Sequence, residues 1–537
     1  MNLKDLILLS LVILLAIVLR FYHLSSNPPA PYWEEAALGY DAYSILKTGK
    51  DFHGQSFPLV AFESFGDWKP SLYFYASVFP IKFFGLDVFS VRFASALAGV
   101  LTVLLIYLIV KTLLNYQTAL LSALLLTISP WHLQLSRVGF ETNLGLFLVV
   151  LGFYFFLNGL KKGWWLILAS LSWGLSIYAY HALRVFIPLM GLTLGIYYLR
   201  QLWLKKTWMI SGIILFFILI FPVINVLNQP QIQQRFAETS AFTTLEPILT
   251  SNRLIAEDGE GKLAKLIHHR FWQYLNIFTN NYVSHFSFDY LFLKGDSNPR
   301  HSVQLVGNLY LVQLPFLILG IYYLFSKKRW RLLPLLFWLI LAPIPAAITT
   351  AVPHALRSLP MVIPLIILSA YGLVELTAAM KKSFPKKFIL LYCSIALLLL
   401  ILLAEFSRYL FIYYVDYPRD NSQYWQYGYR EMINYVTDHQ GNYAHIYITR
   451  ELGRPSIYYW FYNQTDPRQV QAVSKVVPKD QGEYLAFDKI DFSLPEGDKL
   501  QKPALVVMSQ EEAKFGTPLK KINYLNGERA FTIYELK

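Results

Sequence analysis

Two adjacent carboxylates, Glu34 and Glu35, open a stretch that closes on a lysine before a proline, Lys69–Pro70. A carboxylate held partly out of water binds its proton more tightly and can serve as a general base. An ammonium is a compact point charge that can neutralise a phosphate oxygen. Asp67 stands two residues before that lysine. Farther along come Arg137 with Glu141, His181 with Arg184, then His285, Asp296, Arg300 and His301, and finally His354 with Arg357. The planar fork of arginine matches phosphate oxygens. Acid–base chemistry on a phosphate-bearing substrate is what these residue types have in common.

Each set also has a plainer reading. Acids in a first helical turn offset the helix dipole. Lys69 can snorkel at a lipid interface. Arg137 and Glu141 have the spacing of an i, i+4 salt bridge. The two His–Arg pairs at i, i+3 can be interfacial anchors, although several such groups fall on the same expected side. No HExxH or CxxC spacing occurs, so no metal ligand set can be read locally; a divalent metal is compatible with the composition, and no other cofactor is implied. There is no Walker loop and no dinucleotide-binding glycine fingerprint. A soluble nucleotide donor would therefore lack a cradle, which points to a donor carried in the membrane.

The elements that must hold these residues follow from the periodicity. Glu34 to Thr48 can form one amphipathic helix, with Pro31 before it and Gly49 at the C-cap position. On it Trp33, Ala37, Tyr40 and Ser44 share a face, while Glu34, Leu38, Asp41 and Ile45 line another. Such a helix is expected in the membrane–water interface, its carboxylates just above the lipid. The 537-residue chain is 55% hydrophobic, 15% charged and 17% aromatic. Apolar runs long enough to cross a bilayer fall near 6–24, 86–110, 117–135, 142–160, 163–180, 183–200, 208–228, 304–325, 332–350, 355–377 and 388–414, about eleven spans. The segment 71–85 is too short to span, contains Pro80 and Lys82, and reads as membrane-dipping.

A net charge of +13 suggests a nucleic-acid binder until its distribution is considered. With the N-terminus placed in the cytoplasm, Lys4, Lys111, Lys161, Lys162, Arg200, Lys205, Lys206, Lys327, Lys328, Arg329, Arg331, Lys381, Lys382, Lys386 and Lys387 all fall in short inner segments. This is the positive-inside pattern of a multi-pass plasma-membrane protein, and it excludes a nucleic-acid partner as the reason for the charge. The outer side then receives 25–85, 136–141, 229–303 and the tail. The single cysteine, Cys393, lies within the last run, so the outer regions carry no disulfides.

After about Asp416 the composition becomes that of a soluble domain. A helix over 422–438, a strand at 444–450, a helix near 454–463 and a strand at 503–509 are expected. Asn526–Gly527 between two alternating runs signals a hairpin. The expected division is a membrane domain over 1–415, with outer loops 25–85 and 229–303, and an extracytoplasmic α/β domain over 416–537.

The order of WEEAALGYDAYSILKTG, FGDWKPSLYFY and FGLDVFSVRFASALAGVLTVLLIYL after a first span resembles bacterial glycosyltransferases of family 39 type. SRVGFETNLGLF, YAYHALRVFIP, HFSFDYLFLKGDSNPRHS and PHALRSLPMVIPL fit the same likeness, which covers most of 1–415. That family has the GT-C membrane fold and includes protein O-mannosyltransferases and the aminoarabinose transferase of lipid A. The resemblance implies transfer of a sugar from a polyprenyl-phosphate donor to a lipid, glycan or protein acceptor on the outer face. By it, Glu34 stands in the place of a catalytic Asp, Glu35 of the second acid, Glu141 of the acid in the second outer loop, and Lys69 of the lysine that contacts donor phosphate.

Two departures are plain. Glu34 is one methylene longer than the family's Asp, and Trp68 replaces the glutamate that helps bind metal in the aminoarabinose branch.

The resulting expectation is a mainly α polytopic protein of GT-C type with a soluble α/β tail. Glu34, Glu35 and Glu141 are the catalytic candidates. Lys69, Arg137, Arg300, His354 and Arg357 are the phosphate-binding candidates. Asp67, His181, Arg184, His285, Asp296 and His301 are further substrate contacts. A flippase for lipid-linked sugars would place its ionisable groups at mid-bilayer, where this chain is nearly free of charge. An inactive glycan-binding scaffold is the other alternative, kept open by Glu34.

Overall fold

The computed structural model describes residues 3–227, 238–383, 388–474, 476–480, 482–494, 501–509 and 518–537. Lys386 and Lys387 lie outside these. Among the described residues six helices are long and apolar enough to cross a membrane: Val88–Leu113, Glu141–Gly159, Lys206–Val226, Trp330–Ala347, Leu359–Ser383 and Cys393–Asp420. Shorter apolar helices cover Leu72–Phe84, Tyr116–Ile128, Trp165–Ile177, Leu183–Tyr197 and Leu311–Ser326. A further helix covers Leu3–Phe21. Every run expected to span thus contains a helix, and the expected class is observed.

The chain divides into two compact units. The first comprises Met1–Leu19, Gly99–Leu135 and Thr142–Tyr409. Within it the helices Leu314–Ser326 and Val362–Ser383 meet backbone to backbone. A Cβ on Gly320 would lie 2.1 Å from the Leu368 carbonyl oxygen, and one on Gly372 would lie 2.0 Å from that of Phe316. Close approach through small residues is how helices associate where lipid gives no hydrophobic drive. The Lys206–Leu227 helix instead leaves Ile213, Ile214, Phe217, Ile218 and Phe221 exposed. A helix apolar on its outer face in this way needs lipid rather than water against it.

The second unit comprises Arg20–Ala98, Ser136–Glu141 and Leu410–Lys537. Its tail carries a six-stranded mixed sheet in the order Ala486–Phe487, Ile490–Asp491, His445–Ile448, Ala504–Met508, Arg529–Leu536, Pro518–Asn523. His445–Ile448 pairs in parallel with both its neighbours. The last two strands form the hairpin expected at Asn526–Gly527, with Gly527 at φ 89°.

The Trp33–Thr48 helix runs through this unit and ends where expected: Gly49 adopts φ 71° and donates its N–H to the Ile45 carbonyl at 2.9 Å. Its surroundings differ from the expectation of an interfacial helix with one wet face. Ala36, Ala37, Leu38, Tyr40 and Ala42 are all buried, on every side of the helix. The reason lies some 400 residues downstream, where the Pro455–Tyr462 and Pro467–Val473 helices of the tail close over it. Tyr458 Oη donates to the Pro31 carbonyl at 3.0 Å, Tyr40 Oη to the Thr465 carbonyl at 2.9 Å, and Gln471 Nε2 to Thr48 Oγ1 at 2.9 Å.

Candidate active site

Two strands that local patterning did not reveal carry the lysine. Ala61–Ser64 and Asp67–Pro70 pair antiparallel with Phe62 opposite Lys69. Phe65 (φ 55°) and Gly66 (φ 78°) make the two-residue turn. Positive φ at both central positions matches the twist of a tight hairpin. Side chains two apart on a strand share a face, so Asp67 and Lys69 project together. Lys69 Nζ lies 3.2 Å from Asp67 Oδ2 and 3.0 Å from Glu34 Oε1. The ammonium is 13% exposed and Glu34 33% exposed, which leaves the acid approachable. Glu141 opens its helix half-buried and within electrostatic reach of Lys69, Glu34 and Asp67. The second unit therefore brings Glu34, Asp67, Lys69 and Glu141 together.

Glu35 does not join them. Consecutive helical residues point about 100° apart, so the two acids of the pair face different surroundings. Glu35 is fully buried against Arg92, an arginine absent from the sequence candidates. Arg92 Nε donates to Oε1 at 2.9 Å and Nη2 to Oε2 at 3.0 Å. The Gly139 N–H donates to Oε1 at 2.8 Å, and the Tyr32 N–H to Oε2 at 3.1 Å, as a carboxylate at the third helical position commonly does. All its acceptor positions are taken. Arg92 carried a signal in the sequence, a charge within the apolar run VFSVRFASALAG, where an ionisable residue normally has a dedicated partner.

Arg137 is likewise buried and turned to the backbone. Its Nη2 donates to the carbonyls of Tyr22 (2.7 Å) and Asn27 (3.0 Å), its Nε to Tyr413 Oη (3.1 Å), and its guanidinium lies over the Tyr413 and Tyr414 rings. The i, i+4 relation with Glu141 has no helical meaning, because one helix ends at Ser136 and the next begins at Glu141.

The first unit holds a different cluster. Asp296, in the turn after the Asp289–Leu293 helix, accepts from His301 Nδ1 at 3.0 Å and lies 3.9 Å from His354 Nδ1. Its Oδ2 also accepts the Ala355 N–H at 2.7 Å, and its Oδ1 the Asn298 N–H at 2.8 Å. The His301 and His354 rings stack with centroids 4.9 Å apart. Burial pushes the Asp296 carboxyl up, but the His301 hydrogen bond and charge, then His354 and the Ala355 N–H, outweigh it and hold the group at about 2. Burial, followed by His301 and Arg357, holds His354 well below the ordinary imidazole range. His285, held down by burial to about 4, donates Nδ1–H to the Asn281 carbonyl at 2.8 Å and accepts the His354 N–H on Nε2 at 3.2 Å. Arg357 donates to Thr349 Oγ1 at 2.6 Å, and Arg300 sits in the 296–301 turn. His181 and Arg184 lie in the same unit at the start of the Leu183–Tyr197 helix.

Residues 69–225 match the sequence model of the dolichyl-phosphate-mannose-protein mannosyltransferase family. No curated protein matches the chain by sequence. Among solved structures, ArnT from Cupriavidus metallidurans in the apo state is similar over 98% of this chain and 97% of its own, with a TM-score of 0.57 at 12% identity. The same protein bound to undecaprenyl phosphate is similar over the same shares, with a TM-score of 0.53 at 14% identity. The chain has the GT-C fold of multi-pass membrane glycosyltransferases, as the motif resemblance implied.

Proposed function

We propose that this chain is a membrane glycosyltransferase that moves a sugar from a polyprenyl-phosphate donor to a lipid, glycan or protein acceptor outside the plasma membrane, with inversion at the anomeric carbon. The observation that carries the reading is the Glu34–Lys69 contact at 3.0 Å, formed between the first turn of a buried helix and a hairpin strand. An approachable base beside a half-buried ammonium suits the two ends of such a displacement. The binding of undecaprenyl phosphate by the similarly folded ArnT supports a lipid phosphate as the donor's leaving group.

In this mechanism the donor phosphate docks on Lys69 and competes with Glu34 for the ammonium. A carboxylate that loses a cationic neighbour gains proton affinity, so donor binding itself prepares Glu34 as the base. Glu34 takes the proton of the acceptor hydroxyl or amine as that atom attacks the anomeric carbon. The bond from that carbon to the phosphate oxygen breaks, and its electron pair leaves on the polyprenyl phosphate, stabilised by Lys69. Asp67 holds the ammonium on the hairpin face, and Glu141 tunes the field from the opposite segment. Glu35, Arg92 and Arg137 are positioning residues that fix the helix and the 136–141 segment. Arg300, His354 and Arg357, expected from the sequence to bind phosphate, belong to the first unit and have no part in these steps.

The test is release of polyprenyl phosphate from a panel of polyprenyl-phosphate sugars. Glu34→Gln keeps size but cannot take a proton, so turnover should fall roughly 10²–10⁴-fold, while donor KM should not rise and should fall to the extent that Glu34 competes for Lys69. Lys69→Ala should raise donor KM as well as lower kcat. Wild-type turnover in Glu34→Gln would sink the assignment.

A further inference from the structure

We infer that Asp296, His301 and His354 form a binding site for one divalent transition-metal ion of the zinc class. The inference is independent of the activity proposed above, because all three residues lie within the first unit.

One ligand atom from each residue lies within 4.8 Å of the other two. Bonds of about 2.0–2.2 Å to imidazole nitrogen and carboxylate oxygen, arranged tetrahedrally, set neighbouring ligand atoms roughly 3.4 Å apart. The separations from Asp296 Oδ2, 3.0 Å to His301 Nδ1 and 3.9 Å to His354 Nδ1, bracket that figure.

His354 Nδ1 is buried and finds no hydrogen-bond partner among the described residues. Buried polar atoms are nearly always satisfied, and the exceptions call for an explanation. This atom belongs to a side chain 12% exposed and faces the Asp296 oxygen at 3.9 Å, too far for a hydrogen bond. A metal ion between them would engage the lone pair.

Metal sites orient their ligands through hydrogen bonds to surrounding groups. The Asn298 and Ala355 N–H groups fix the plane of the Asp296 carboxylate, and Ala355 directly follows His354 in the chain. His285 Nε2 holds the His354 backbone N–H, with its own Nδ1–H committed to Asn281. The 296–301 turn and the 352–358 loop are therefore locked together by groups that leave the ligand atoms facing one another.

Two imidazoles and one carboxylate suit zinc and its transition-metal neighbours, whereas calcium and magnesium prefer all-oxygen sets. Three protein ligands leave one position for water or an anionic oxygen, the arrangement of an open rather than a closed zinc site.

The experiment uses the full chain in detergent, purified without a polyhistidine tag, stripped with chelator and dialysed against Zn²⁺. Metal content by mass spectrometry should give about one ion per chain, retained against excess Mg²⁺ or Ca²⁺. His301→Gln and His354→Gln should weaken binding by more than the roughly 10–100-fold that loss of a supporting group costs. His268→Gln should bind as wild type does. That histidine pairs with Asp258 at 2.6 Å in the same unit and controls for casual imidazole binding. Zn²⁺ should also raise the midpoint of thermal unfolding in wild type and His268→Gln only. A wild-type chain that holds no ion overturns the inference however the variants behave. Undiminished binding in both cluster variants overturns it too, and displacement by Mg²⁺ or Ca²⁺ overturns the metal class.

Discussion

Replacing Glu35 by glutamine should destabilise the protein by about 3–5 kcal/mol, the usual loss when one partner of a buried ion pair is removed. The structure places this pair at the costly end because Arg92 has no freedom to adjust. Besides its two bonds to Glu35, its Nη1 donates to the carbonyls of Leu24 (3.0 Å) and Pro28 (2.9 Å), and its Nη2 to that of Ala30 (2.8 Å). Neither side chain is more than 1% exposed. Glutamine keeps one acceptor, enough for Arg92 Nε and the Gly139 N–H. Its amide NH₂ would then confront Arg92 Nη2 and the Tyr32 N–H, both donors, and a buried guanidinium would be left without a counter-charge. The assay is the denaturant midpoint of the full chain in detergent for Glu35→Gln, Arg92→Gln and the double variant. Each single change orphans a group, whereas the double removes both charges, so its loss should fall short of the sum by more than about 1 kcal/mol. Additivity within about 0.3–0.5 kcal/mol would refute the reasoning, since independent sites behave that way.

Other outcomes follow from the same geometry. A Cβ on Gly482, which has φ +74°, would meet the Gly66 nitrogen at 2.1 Å, so Gly482→Ala should disturb the hairpin that carries Lys69. We expect about 1–3 kcal/mol of destabilisation, the range for overpacking, and a raised donor KM; a neutral substitution would mean that the tail does not brace the hairpin. Burial raises Asp51 to about 6, so the folded chain holds that proton more tightly than the unfolded chain, where the group titrates near 3.9. Its contribution is complete below about pH 3.9 and is lost as pH rises through about 6. Wild-type stability measured relative to Asp51→Asn should therefore decline over that window, and a difference independent of pH would reject the assignment. In a Cys393→Ser background, cysteines replacing Gly163 and Arg329 should resist an impermeant thiol reagent in intact cells, while one replacing Asp480 should label. The reverse pattern would put the proposed site in the cytoplasm.

The sequence alone determined what depends on neighbours within a few turns. Apolar runs of span length became helices, because backbone groups in lipid must be satisfied within the segment itself. The Trp33–Thr48 helix stops at Gly49, and the last hairpin turns at Asn526–Gly527, because glycine accepts the positive φ each needs. The concentration of lysine and arginine in alternate short loops is legible for a similar reason, since it needs only counting. What tertiary structure decided is the fate of individual charges. Glu34 and Glu35 are indistinguishable by type and position, yet one meets a lysine 35 residues on and the other an arginine 57 residues on. The burial of their helix comes from a tail more than 400 residues away. Asp296 and His301 are five residues apart, but the third member of their cluster is His354, brought in by a separate loop. A carboxylate becomes a base, a brace or a ligand according to the charge and solvent around it, and those are supplied by contacts that no local period encodes.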